Sequence, residues 1–97
     1  MTKRLVFVAI EEGRVIGKAS LEGNTVRSVF VVPSRQDSGV GKSLMNHVEQ
    51  IAKARSIHCL TVSSSVTAEG FYRRLGFVAR RDQWYGEERT IIMRKHL

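Results

Sequence analysis

The sequence predicts an α/β domain, built on a mixed, mostly antiparallel sheet with one parallel strand pair and two helices. The first observation behind this is a series of β-branched and aromatic runs, Leu5–Ile10, Val15–Leu21 and Val26–Val32. Only short turn-forming stretches separate them, so they fold back on one another as an antiparallel meander. The second is a set of apolar residues at helical spacing, Val40, Leu44, Val48, Ile51 and Ala52, followed by another apolar run, Ile57–Val62. Strand, helix and strand in that order make a parallel pair through a right-handed crossover. The third is a closing hairpin, Phe77–Trp84 and Glu88–Lys95, around Tyr85-Gly86-Glu87.

Composition limits what such a domain can be. With 97 residues, 42% of them hydrophobic, and a single proline, the chain supports one small core and one domain, residues 1–97. Sixteen Lys and Arg against nine Asp and Glu leave a net charge of +7, which favours anionic partners such as a polyanionic cofactor or a nucleic acid. The charges are scattered, so no basic arm is indicated. One cysteine, Cys59, excludes an internal disulfide and suits a reducing compartment, so a cytoplasmic protein is expected. The apolar run after Met1-Thr2-Lys3-Arg4 is too short for a signal peptide or a membrane span.

The remaining elements follow from local signals. Glu11–Arg14 and Glu22–Thr25 are turns, the second helped by Gly23-Asn24. The long helix ends near Arg55-Ser56, and its Lys42, Asn46, Glu49 and Lys53 face is expected in solvent. Ser63–Thr67 is expected as a loop whose Ser65 or Thr67 caps a short helix from Ala68 to Leu75, with Gly76 as its stop.

Between the third strand and the long helix lies Pro33-Ser34-Arg35-Gln36-Asp37-Ser38-Gly39-Val40-Gly41-Lys42-Ser43. Proline ends the strand and two glycines open the helix, where N–H groups lack partners and the dipole is positive. That combination suits an anion, phosphate above all. Gly-Val-Gly-Lys-Ser invites comparison with a nucleotide-hydrolysing P-loop, but Gln36 stands where its first glycine belongs, and the chain has no room for the further βα units. The fuller pattern, from Val31 through Pro33 and Gln36 to Gly39 and Gly41, resembles the acyl-CoA-binding signature V-x-P-x-x-[QR]-x-x-G-x-[GA] of the GCN5-related N-acetyltransferases (GNAT). Further on, Ala68-Glu69-Gly70-Phe71-Tyr72-Arg73-Arg74-Leu75-Gly76-Phe77 resembles the same family's A-x-x-F-Y-x-x-x-G-F. Two signatures in the right order are far more specific than one glycine loop.

The resemblance implies a GNAT-like sheet whose parallel pair splays apart, with acetyl-CoA lying in the gap. Phe30, Val31 and Val32 would offer main-chain contacts to the pantetheine arm, and Gln36 with the amides of Ser38, Gly39, Val40, Gly41, Lys42 and Ser43 would hold the diphosphate. Ser65 stands where the family often has asparagine and could bond the arm more weakly; Ala68, Phe71 and Arg74 would complete the cofactor site. Tyr72 would be the general acid that protonates the departing thiolate, a role a neutral phenol suits; otherwise it is a core aromatic. Asp37 departs from the glycine or basic residue common there. No general base declares itself, and no His or Cys stands at metal-ligand spacing.

The resemblance spans nearly the whole chain, yet the family's opening strand and two helices have no counterpart ahead of Leu5. The acceptor side should therefore be open, the Leu5–Ile10 strand should present a bare apolar edge, and a homodimer covering that edge is expected. The implied activity is transfer of acetyl to a primary amine, on a small molecule or a peptide, by direct attack in a ternary complex. An acyl-CoA-binding domain without catalysis and a basic nucleic-acid-binding module are the competing classes.

Overall fold

A computed structural model describes residues 4–97. The chain forms β1 (Arg4–Glu11), β2 (Arg14–Glu22), β3 (Thr25–Val31), α1 (Val40–Ala54), β4 (Cys59–Ser65), α2 (Glu69–Arg74), β5 (Val78–Tyr85) and β6 (Glu88–His96). The strands make one sheet in the order β1-β2-β3-β4-β6-β5. The meander, the parallel β3/β4 pair and the final hairpin all form. Sequence order conceals one feature: β6 rather than β5 takes the place beside β4, pairing along its whole length from Cys59↔His96 to Ser65↔Thr90. Ser63 to Ser65 therefore extend a strand instead of forming the expected loop. Cross-strand partners such as Ile91 and Ile92 on β6 hold them there, which three consecutive serines do not suggest by propensity.

Turn chemistry sets the meander. Glu12 and Gly13 both have positive φ, 51° and 77°, as the tight β1–β2 hairpin requires. The helix α1 packs on one face of β1–β3. A Cβ built on Gly17 would lie 2.9 Å from side-chain carbons of both Leu44 and Val40, so glycine lets helix and sheet approach. Met45, Val48, Leu60, Val62, Ile91 and Met93 fill the space between α1 and the sheet. The helix α2 reaches the same side, its Phe71 ring lying against Gly41. Among the described residues no helix covers the opposite face, where Val6, Val8, Ile10 and Phe30 stand about half exposed.

Two features of α1 differ from expectation. Glu49, expected in solvent, is buried, and its Oε1 lies 2.8 Å from Lys95 Nζ on β6. The apolar face of α1 is broader than the spacing alone suggests, because Met45 is also fully buried and turns Glu49 inward with it. The helix also ends in a Schellman motif without glycine: Ile57 N–H bonds the Ala52 carbonyl at 2.9 Å and Ser56 N–H the Lys53 carbonyl at 3.0 Å, with Ser56 at φ 61°. That motif carries the chain out of the helix, so β4 starts at Cys59 rather than Ile57. Left-handed backbone is costly for a residue with a Cβ. Ser56→Gly is expected to stabilise the fold by about 0.5 kcal/mol, the relief being partly offset by glycine's larger entropy in the unfolded chain. Urea unfolding would show this as a higher midpoint at unchanged slope.

Candidate active site

The parallel pair is joined only at its start. β3 and β4 meet at Thr25↔Thr61 and Val26↔Val62, and beyond these the strands diverge. Hydrogen-bonded and non-bonded pairs alternate in an antiparallel ladder. The 2.9 Å bond from Val32 N–H to the Ile16 carbonyl therefore makes Gly17↔Val31 and Ala19↔Val29 non-bonded pairs. The main-chain groups of Val29 and Val31 consequently point away from β2, into the gap toward β4. Gln36 bridges its mouth, Nε2 donating to the Val31 carbonyl at 3.2 Å.

The loop after β3 is tied down at both ends. Pro33–Arg35 makes one 3-10 turn. Arg35 Nε donates to Glu11 Oε1 at 2.9 Å, and a second guanidinium nitrogen also reaches that oxygen, anchoring the loop to the β1–β2 hairpin. The Ser38 hydroxyl donates to the Arg35 carbonyl. Asp37 (φ 63°) and Gly39 (φ 87°) both adopt left-handed backbone, which turns the chain into α1. No side chain caps that helix, and its first turn holds no acidic residue. The first intrahelical bond runs from Ser43 N–H to the Gly39 carbonyl at 3.0 Å, leaving the N–H groups of Val40, Gly41 and Lys42 without helical partners.

Across the gap, α2 sets the aromatic pair. Ala68 N–H lies 3.1 Å from Ser65 Oγ and 3.2 Å from the Ser65 carbonyl. At the other end Gly76, φ 99°, terminates the helix: Phe77 N–H bonds the Tyr72 carbonyl and Gly76 N–H the Arg73 carbonyl, both at 3.0 Å. The apolar contact that accompanies such an ending is the pair of rings themselves, Tyr72 and Phe77, with centroids 5.6 Å apart. The glycine-phenylalanine end of the second signature is thus a helix stop that locks Tyr72. Phe71 packs edge-on against Tyr72 at 5.1 Å and fills the place of a Gly41 side chain, whose Cβ would fall 3.1 Å from the Phe71 ring. Gly41 is therefore small for the sake of Phe71 as well as to bare the backbone.

These elements enclose a cleft of about 640 Å³. Val31, Gln36, Gly39, Gly41, Lys42, Ala68, Phe71, Tyr72 and Arg74, all singled out from sequence, line it. Others fall elsewhere. Phe30 occupies the hydrogen-bonded position opposite Lys18, so its backbone serves β2 and its side chain the bare face. Val32 has its N–H on Ile16 and its carbonyl on Arg35 N–H. The Ser43 amide is spent inside the helix, and Ser43 lines a separate hollow beside β1. Ser38 and Val40 flank the cleft without lining it, and Ser65 is engaged with Ala68. Sequence reasoning missed Val29, Arg35, Thr67 and Gly70. Strand parity was the signal for Val29, since it shares the side of Val31.

Tyr72 is 6% exposed, and burial pushes its phenol above the ordinary value of 10.0, so it holds its proton at neutral pH. Its hydroxyl has no hydrogen-bond partner among the described residues, and none of their buried side-chain polar atoms is sealed off unpartnered. The hydroxyl therefore opens to the cleft as a free donor. Asp37 is the one carboxylate lining the cleft among the described residues. Among the described residues, no three His, Cys, Asp or Glu side chains converge as a metal site.

Unpaired amides at a helix start, glycines that bare the backbone and Lys42 beside them fit a diphosphate, while the free main-chain groups of Val29 and the Val31 N–H fit an extended amide-bearing arm. A family model described as an acetyltransferase (GNAT) domain matches residues 1–95, and the chain belongs to that family. It is 32% identical, over 80% of its length and 60% of the other's, to a glucosamine 6-phosphate N-acetyltransferase of Trypanosoma brucei brucei. A GCN5-related N-acetyltransferase from Rhodopseudomonas palustris superposes with a TM-score of 0.91 at 31% identity, covering 97% of this chain and 62% of that one. The paia N-acetyltransferase from Thermoplasma acidophilum, solved in complex with coenzyme A, shares the fold at TM-score 0.84 and 22% identity, covering 97% and 61%. The chain thus spans about 60% of the length of these relatives.

Proposed function

We propose that the chain is an N-acetyltransferase domain that moves acetyl from acetyl-CoA to a primary amine by direct attack within a ternary complex. The observation carrying this reading is the set of unpaired N–H groups at Val40, Gly41 and Lys42, the last two of which line the cleft where β3 and β4 part. When bound, acetyl-CoA supplies an acyl group already activated as a thioester. The amides at the start of α1, with Lys42, hold the diphosphate, and Arg74 lies at the same cleft for the nucleotide end. The main-chain groups of Val29 would pair with the pantetheine arm as a neighbouring strand would. The Val31 N–H, which points into the same gap, would donate to the oxyanion at the attacked carbonyl. Tyr72 keeps a proton on Oη for the departing thiolate sulfur. No side chain of the cleft is assigned as base, since Asp37 belongs to the diphosphate end.

The trypanosomal relative is named for glucosamine 6-phosphate, which makes that amino sugar the first acceptor to try. A homodimer joined at the bare β1 edge, in a single domain comprising residues 1–97, remains part of this reading, as does a cytoplasmic setting suited to the free Cys59. Among the described residues no helix is long and apolar enough to cross a membrane. Light scattering on the eluting peak tests the dimer, which a monomer would refute.

A melting-temperature rise with acetyl-CoA, followed by thiol release over a panel of amines, tests the activity. Binding without thiol release would favour an acyl-CoA-binding domain, and salt-sensitive binding to duplex DNA without any response to acetyl-CoA would favour a nucleic-acid module. Asp37→Gly is expected to leave coenzyme A affinity unchanged or tighter, because it removes a carboxylate from the cleft and suits the positive φ. Clearly weaker binding by calorimetry would contradict this placement of the diphosphate.

A further inference from the structure

The segment from Pro33 to Gly39 leads directly into α1, yet little holds it in place. None of its residues is buried: Arg35 is half-buried and the others are exposed. Its own backbone bonds are local, from Arg35 N–H to the Val32 carbonyl and from Gln36 N–H to the Pro33 carbonyl. The Gln36 side chain and the Ser38 hydroxyl likewise reach only Val31 and Arg35. Between Arg35 and α1 stand Asp37 and Gly39, both left-handed, and that backbone is costly for the aspartate. An exposed loop with a costly turn and no apolar anchor drifts among shapes unless a distant group fixes it. Among the described residues, its hydrogen bonds to another element are those from the Arg35 guanidinium to Glu11 Oε1, at the end of β1.

Arg35 is shared between two spaces. It lines the cleft with Gln36, Asp37 and Lys42, and it lines a separate hollow with Glu11 and Glu12. Glu11 does not reach the cleft, and Glu12 carries no ion pair among the described residues. Charge and tether have opposite consequences for Glu11. As a charge near a cleft for a polyanion it repels the diphosphate, so its removal would tighten binding. As a tether it orders the loop beforehand, so its removal leaves that ordering to be done at the moment of binding.

We propose that Glu11 is a positioning residue for the cofactor, acting through Arg35 to hold the loop in the shape that bares the α1 amides. That role rests on the cofactor assignment above. The test is calorimetric binding of coenzyme A to E11A, E11Q, E12A, R35A and E11A/R35A. E11A should weaken binding about fivefold, while the melting temperature without ligand stays within about 2 °C of the parent protein. E11Q keeps an acceptor oxygen for the guanidinium and should limit the loss to about twofold. E12A removes the same charge from the same hairpin and should bind as the parent does. In the R35A background, adding E11A should change the affinity by less than about 1.5-fold, because Glu11 acts through that guanidinium. Dephospho-CoA, which keeps the diphosphate and lacks the 3′-phosphate, should lose the same factor as coenzyme A in E11A. Unchanged or tighter binding in E11A, an equal loss in E12A, or a further loss from E11A in R35A would overturn the proposal. So would a loss confined to coenzyme A, or a lower melting temperature in E11A with full affinity in E11Q. Absence of any coenzyme A binding by the parent protein would instead overturn the cofactor assignment and this proposal with it.

Discussion

Replacing Tyr72 with phenylalanine is expected to lower kcat by about a hundredfold or more while KM for acetyl-CoA stays within about twofold. The phenol is fixed by its ring contacts to Phe71 and Phe77 and by the helix stop at Gly76, and phenylalanine keeps all of these. Only the proton at Oη is lost, so steady-state kinetics with an unchanged melting temperature isolates the chemical role. Wild-type kcat in the variant would return Tyr72 to a packing residue. The pH dependence has a definite sign. Burial favours the neutral phenol, so the folded-state value lies above 10.0. The corresponding stability is complete below the unfolded-state value and is lost as pH rises through the raised folded one. The donor therefore stays protonated from neutrality up to the ordinary phenol range. Above it, the wild-type fold should weaken with rising pH by a component that Tyr72→Phe lacks.

The second large effect concerns stability. Lys95→Met should destabilise the domain by about 2–3 kcal/mol, because it strands the Glu49 carboxylate, only 11% exposed in its side chain, beneath α1. Complete burial would cost more, but Lys95 keeps a quarter of its side chain in solvent, which screens the pair. In a domain of this size the loss corresponds to a fall in melting temperature of about 10–20 °C. Glu49→Leu combined with Lys95→Met should recover most of it, since the pair is then replaced by apolar volume rather than broken. Thermal unfolding followed by circular dichroism measures both, and a single variant melting within a degree or two of wild type would show that the pair is merely superficial.

The sequence made the order of elements legible because the signals are local. The alternating β-branched runs, Pro33, the helical spacing from Val40 and the Gly76 stop each act within a few residues. What it concealed depends on distant partners. Glu49 reads as a surface glutamate until Lys95 arrives from β6. Ser63–Ser65 read as loop until the last hairpin inserts β6 alongside them. Within the site, the motif pointed to the loop and the helix that line the cleft but not to which way each backbone group points. Parity turns the backbone groups of Phe30 toward β2 and leaves those of Val29 on the gap side with Val31, and helical bonding occupies the Ser43 amide. Gly41 shows the converse: a residue read as room for a ligand is also room for Phe71, a contact that no motif spells out.

The central claim is that free main-chain donors at the start of α1 grip the diphosphate. Titration of 15N-labelled protein with coenzyme A, followed by amide chemical shifts, tests it most directly. The largest changes should fall on Gly39, Val40, Gly41 and Lys42, with Val31 close behind, and the hollow beside His47 should stay silent. Saturable binding that leaves those amides unmoved, with its shifts gathered on the β5–β6 hairpin or beside His47, would contradict the account.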